Sequence, residues 1–227
     1  MSKRIAAAFA LSAILLTHAE ASEIAGELPV YPGCESFWSM QDENRPYRLA
    51  VSRAHKKNLL NPFLSGWDIE KWIDVRGDIT RRVYKCEWTR ALGAIHDSYG
   101  KALTDAGFEI AANGMKGDYT VSGDIGSVVF LQAAYAKNPY PDDSNVKIAA
   151  RLTTLGGSAF VAGLKEVAGG RKIAAVTVRQ VDDTTILIGI DEIAERGAAP
   201  RAAEAPLPAA PAADAPSPAP TAASVPP

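Results

Sequence analysis

Only two cysteines, Cys34 and Cys86, occur in the 227 residues of this chain, so a disulfide within it has a single connectivity. Closing a loop of about 50 residues in this way would stabilise the fold by roughly 4 kcal/mol on chain-entropy grounds. It would tie the N-terminal segment to the middle of the chain. Two buried free thiols are the competing reading. A redox-active pair is disfavoured, because there is no C-x-x-C spacing to lower a thiol pKa. Which reading applies depends on the compartment, since disulfides persist where the surroundings are oxidising.

The N-terminus speaks for export. Met1-Ser2-Lys3-Arg4 is a short basic segment, Ile5 to Leu16 is apolar, and Ala19-Glu20-Ala21 is a small-x-small cleavage site before Ser22. This is the grammar of a signal peptide over residues 1–21, cleaved between Ala21 and Ser22. The apolar run is short for a transmembrane span, and no other run of about 20 apolar residues follows it. No cysteine stands at the cleavage site to carry a lipid anchor. In an oxidising compartment Cys34 and Cys86 are most simply read as a pair.

At the other end, residues 198–227 hold 13 Ala and 9 of the chain's 15 Pro. Such a composition resists packing and favours an extended, partly polyproline II chain, so this tail is expected to be disordered. Residues 22–197 remain, enough for one α+β domain with a substantial core. The formal charge of −2 becomes −3 once Lys3, Arg4 and Glu20 are removed. No cationic field of the kind that attracts nucleic acid is present.

Within the domain, Gly26 to Pro46 is rich in turn formers and reads as a loop held by the disulfide and by Phe37-Trp38. Tyr47 to Arg53 alternates like a strand. Trp67, Ile69, Lys71, Ile73 and Val75 share one face of a further strand, Gly77-Asp78 supplies a turn, and Ile79 to Glu87 resumes extended structure, together a hairpin. From Arg90 to Ala106, apolar residues recur at helical steps, with Thr89 as N-cap and Gly107 as a left-handed C-cap. Phe108 to Ile110 then returns to the sheet. Ser127 to Ala136 suits a buried helix, and residues 138–143 a loop. Val146 to Thr154 fits strand or helix. Ala159 to Val167 and Lys172 to Val181 form a hairpin through Gly169-Gly170. Ile186 to Ile190 is a buried segment, and Asp191 is expected to cap a short turn ending near Gly197. The expected architecture is a mainly antiparallel sheet with two packed helices and a single disulfide.

Motifs for chemistry are sparse. The mature chain has two histidines, His55 and His96, both best read as structural. No HExxH motif or paired C-x-x-C points to a metal, no G-x-S-x-G elbow to a nucleophile, and Gly114, Gly117, Gly123 and Gly126 match no nucleotide-binding fingerprint. Asp142-Asp143 and Asp182-Asp183 lie outside a calcium-loop pattern and read as solvated turns. No cofactor and no catalytic residue is expected. One local basic and aromatic group stands out: Arg81 and Arg82, with Trp88 and Arg90 following. On a strand the two arginines point to opposite faces. The group is either a recognition site for an anionic glycan, phosphate or partner protein, or a set of stems packed over apolar surface with solvated heads.

The segments Gly77-Asp78-Ile79-Thr80-Arg81-Arg82-Val83-Tyr84 and Ser98-Tyr99-Gly100-Lys101-Ala102-Leu103-Thr104-Asp105-Ala106-Gly107-Phe108-Glu109 resemble an uncharacterised envelope domain of Gram-negative bacteria. That domain often precedes an OmpA-like peptidoglycan-binding domain. Its pattern, G-x-x-T-R-x-x-Y on a strand and a helix ending in tyrosine, leucine and A-G-F, falls on Gly77, Thr80, Arg81, Tyr84, Tyr99, Leu103, Ala106, Gly107 and Phe108. Thr184 to Gly197 is similar to the end of that domain. The Ala/Pro tail here takes the place of an OmpA-like part, so direct peptidoglycan binding through such a part does not carry over. The resemblance implies a periplasmic location, with secretion as the alternative. The expected function is a non-enzymatic binding or scaffolding domain for an envelope protein or peptidoglycan-associated component. An envelope hydrolase using dispersed carboxylates or His96 is the runner-up.

Overall fold

The computed structural model describes residues 28–57, 66–87, 92–118, 121–141 and 156–195. The signal segment with Ala21 and Ser22, the Ala/Pro tail, Thr89, residues 146–154 and Asp142-Asp143 lie outside them.

The order of elements is β1 (Cys34–Ala50), β2 (Ala54–Lys56), β3 (Trp67–Ile69), β4 (Trp72–Glu87), α1 (Leu92–Asp105), β5 (Glu109–Lys116), α2 (Val128–Lys137), β6 (Ser158–Val167), β7 (Gly170–Gln180) and β8 (Thr185–Glu195). Six strands form one antiparallel sheet in the order β1-β4-β8-β7-β6-β5, and β2 and β3 pair separately. The meander β6-β7-β8 brings the last strand back beside β4 at the sheet's centre. Each face carries one helix, so a mainly antiparallel sheet with two packed helices is what forms.

On one face α1 lays Leu92, Ile95, Tyr99 and Leu103 against Val161, Val176, Ile188 and Ile190. These spacings of three and four residues place one apolar stripe on the sheet. Truncating the fully enclosed Leu103 to Ala should cost about 2–5 kcal/mol. The helix stops where Gly107 adopts φ 81°, letting the Phe108 amide donate to the Leu103 carbonyl at 2.9 Å. On the other face α2 packs Phe130 and Leu131 with Leu49, Ile69, Phe160 and Ala162. Its N-terminus is capped by Ser127, whose hydroxyl accepts from the Phe130 amide at 3.1 Å.

Cys34 and Cys86 stand directly opposite each other on β1 and β4 and are joined by a disulfide. The same pairing corrects the reading of residues 34–46 as loop. They are the first part of β1, with register shifts between Ser36 and Trp38 and between Asp42 and Arg45. The turn formers Asp42-Glu43-Asn44 make the second irregularity, where Asn44 has φ 51°. Pro46 is tolerated because β1 is an edge strand. Further along that edge, the Asn138 side chain takes the place of a neighbouring strand. Its Oδ1 accepts from the Arg48 amide at 2.9 Å, and its Nδ2 donates to the Arg48 carbonyl at 2.8 Å. The strand ends at Ala50, short of the expected Arg53.

A second correction concerns Gly77-Asp78, which is no turn. Trp72 to Glu87 is one continuous strand, and Gly77 lies between Arg45 of β1 and Glu195 of β8. A Cβ there would sit 2.2 Å from the Ala194 carbonyl oxygen, so glycine serves close strand approach. The expected single strand from Trp67 to Val75 is instead broken at Glu70-Lys71, which separate β3 from β4. Asp191 caps nothing: it is an interior residue of β8.

Candidate functional site

Arg81 and Asp191 face each other across the central β4–β8 ladder, on the α2 side. Arg81 Nε donates to Asp191 Oδ1 and Nη2 to Oδ2, both at 3.0 Å. This forked, charge-assisted pairing is the strong kind. The guanidinium also donates to the carbonyls of Pro139 at 3.0 Å and Asn138 at 3.1 Å, and lies 4.1 Å from the Tyr140 ring centroid. Tyr47 Oη donates to Asp191 Oδ2 at 3.1 Å. Only 5 % of Arg81 and 8 % of Asp191 are exposed. Burial works against the charge on Arg81, but Asp191 overrides it and holds the pKa above the usual arginine value. Burial and then Asp191 push the Tyr47 phenol well up; burial and then Tyr135 do the same to Tyr140.

The next residues along both strands repeat the device on the α1 side. Arg82 Nη2 donates to Glu192 Oε2 at 2.6 Å and to the Leu28 carbonyl at 3.2 Å, while the Leu28 amide donates to Glu192 Oε1 at 2.8 Å. The ion pair thus grips the backbone of Leu28 at both ends and pins the segment preceding β1 into the α1 core.

Alternation correctly predicts that Arg81 and Arg82 point to opposite faces. The expectation of solvated heads is corrected, because each guanidinium is buried against its own carboxylate. Trp88 and Arg90 lie outside the described residues. The residues that sequence reasoning missed are Asp191, Glu192, Tyr47 and Tyr140. One signal for them was available: an Asp-Glu dipeptide within an apolar run, matching the Arg-Arg dipeptide within another strand.

His96 is mostly buried, with Nε2 2.7 Å from Asn113 Oδ1 and Nδ1 3.3 Å from Asp97 Oδ1, linking α1 to β5. His55 is exposed on β2, opposite Asp68. Asp182 Oδ1 accepts from the Thr184 amide and hydroxyl, both at 2.8 Å, in the turn between β7 and β8. Those bonds hold its carboxyl below the ordinary value. Among the described residues no group of three or more His, Cys, Asp or Glu is placed to hold a metal ion, and no helix is long and apolar enough to cross a membrane.

Several spaces lie beside this framework among the described residues. A cavity of about 20 Å³ lies between Tyr47, Tyr135, Tyr140, Thr177 and Asp191, where Gly189 leaves room for the hydroxyls. That is space for about one water molecule. A groove of about 410 Å³ runs between β1 and residues 137–141. An open cleft of about 540 Å³ lies beside the disulfide, lined by Glu35, Lys85, Glu87, Asp183 and Thr184. A comparison with protein-family models gives no match, and a comparison with curated proteins gives none either.

Proposed function

We propose that this chain is an exported, periplasmic binding or scaffolding domain that recognises an envelope protein or a peptidoglycan-associated component without catalysing a reaction. The observation that carries the reading is the use made of the central charges. Arg81, Asp191, Arg82 and Glu192 are consumed in two buried ion pairs that hold strands and loops together. His96 is likewise engaged in linking α1 to β5. Groups of this kind act as struts, and recognition is left to the groove beside β1 and the cleft beside the disulfide. The signal-like N-terminus, the Cys34–Cys86 bond and the resemblance to a Gram-negative envelope domain support the compartment. The test is photocrosslinking in cells from a benzophenone side chain placed at Lys137 in the groove or Glu87 in the cleft, with exposed Lys101 on α1 as control. An identified envelope protein or peptidoglycan fragment captured at either surface and not at Lys101 supports the reading. Equal capture at all three, or none, overturns it.

A further inference from the structure

We infer that Cys34 is the exchange sulfur of this chain: an external disulfide or thiol makes and breaks the Cys34–Cys86 bond through Cys34 in the folded domain, and Cys86 is the resolving sulfur. The sheet decides which of the two can be reached. Cys34 is the first residue of the edge strand β1 and is only partly buried, whereas Cys86 is 2 % exposed on β4, between β1 and β8. Thiol–disulfide exchange is a displacement at sulfur, and the attacking thiolate approaches on the side opposite the sulfur that leaves. Cys34 and Cys86 stand directly opposite each other, so their bond runs across the strands. The line of attack on Cys34 therefore comes from beyond the edge of β1, where no strand is paired among the described residues. The line of attack on Cys86 comes from the β8 side, where Ile186 stands opposite it and Leu92 and Ile95 share its apolar cluster. Glu35, Lys85 and Glu87, which line the nearby cleft, alternate with the cysteines along the strands and point to the opposite face, away from the sulfurs.

Closing runs in two displacements. The Cys34 thiolate attacks a disulfide donor RS–SR, forming Cys34–SR and releasing one RS⁻. Cys86, held opposite by the β1–β4 ladder, then attacks Cys34 Sγ as its thiolate and releases the second RS⁻. The two protons lost by the cysteines end on the two RS⁻ groups, and the donor is reduced by the two electrons the cysteines give up. Opening is the reverse: RS⁻ attacks Cys34 Sγ, Cys86 leaves as a thiolate and takes up a proton, and a second RS⁻ removes the first as RS–SR. The ladder from Glu35–Lys85 to Ala50–Trp72 keeps the two strands in register throughout, so neither direction requires the domain to unfold. The chain is in this sense a substrate of thiol exchange, and its natural reactant is a disulfide donor or dithiol able to present one sulfur at the edge of β1.

The test exposes the oxidised full chain to reduced glutathione without denaturant, quenches samples in acid and locates the adduct by peptide mass. Glutathione should be found on Cys34 about tenfold or more above Cys86, because access governs such exchange, and the rate of opening should rise in proportion to glutathione concentration. Two single variants read the closing direction with oxidised glutathione. Cys86→Ser, which keeps the edge sulfur, should form its mixed disulfide about tenfold or more faster than Cys34→Ser, with both first shown to have native circular dichroism. Adduct on Cys86, or on both sulfurs equally, overturns the inference. So does an opening rate that levels off as glutathione is raised, the sign that unfolding has to come first, or equal rates for two folded variants. The mapping on the unaltered chain decides the matter even where a variant does not fold. The inference does not rest on the proposed envelope role, and its failure leaves the crosslinking result untouched.

Discussion

Removing one partner of the Arg81–Asp191 pair should cost more than removing both. Arg81→Met leaves a carboxylate 8 % exposed with Tyr47 as a donor, and Asp191→Leu leaves a guanidinium 5 % exposed that keeps the Pro139 and Asn138 carbonyls but has lost its counter-charge. Stranding one buried charge costs about 3–5 kcal/mol. That is a large share of the roughly 5–15 kcal/mol holding a domain together. The double variant strands no charge. It loses the two bonds from Arg81 to the Pro139 and Asn138 carbonyls and the one from Tyr47 to Asp191, worth about 1 kcal/mol each, so it should lie about 3 kcal/mol below the parent. The assay is urea unfolding with the disulfide intact, followed by tryptophan fluorescence, to which Trp38, whose ring meets Tyr140 edge-on at 5.4 Å, contributes. With a urea slope of about 2 kcal/mol/M, each single variant should lower the midpoint by roughly 1.5–2.5 M and the double by no more than about 1.5 M. The exposed Arg48–Asp74 pair is the control, and Asp74→Asn should change stability by less than about 1 kcal/mol. If the two single effects simply add in the double variant, or if either costs as little as the control, the argument from buried charge is wrong.

Gly77→Ala should destabilise by about 1–3 kcal/mol, because its Cβ would meet the Ala194 carbonyl at 2.2 Å, whereas Gly100→Ala on α1 meets nothing within 4 Å and should stabilise by about 0.5–1 kcal/mol. Thermal melts followed by circular dichroism give both signs, and like signs would refute the distinction. Replacing Cys34 and Cys86 by Ser should cost about 2–5 kcal/mol in urea unfolding; an unchanged midpoint would show that the bond does not constrain the unfolded chain. Burial raises the phenol pKa values of Tyr47, Tyr99 and Tyr140 above their unfolded values. Stability is therefore intact below about pH 10 and falls above it, by about 1.4 kcal/mol per pH unit for each phenol. Absorbance at the phenolate band should rise for these three only together with loss of the circular dichroism signal. Ionisation without unfolding would show them to be solvated.

Elements whose cause is local were legible in the sequence. The stripe Leu92, Ile95, Tyr99, Leu103 and the C-cap at Gly107 need only neighbours within one turn, and the β6–β7 hairpin follows from alternation around Gly169-Gly170. Gly77-Asp78 and Asp42-Glu43-Asn44 carry the same local chemistry as turns. What makes Gly77-Asp78 part of a straight strand is pairing on both sides, with β1 and with β8, whose Ala194 lies more than a hundred residues away from Gly77. The same distance hid the arginines' partners. Alternation put Arg81 and Arg82 on opposite faces, but only the pairing of β4 with β8 turns two exposed-looking cations into buried ion pairs.

The two adjacent ion pairs also bear on how β8 finds its place beside β4. Sliding β8 by two residues keeps every apolar side chain on its proper face, the kind of slip that hydrophobic alternation does not penalise. It moves Asp191 about 7 Å along the strand, to stand opposite Ile79 or Val83, and ends the direct facing of Arg81 and Asp191. Sliding by one residue in the sense that sets Arg81 against Glu192 and Arg82 against Asp191 leaves the charges matched. That slip turns Ile190 toward Tyr140 and Thr177, where the neighbouring hydroxyls leave room only for Gly189. Charge rejects the even error and volume the odd one, so between them they leave the central seam of the sheet a single alignment.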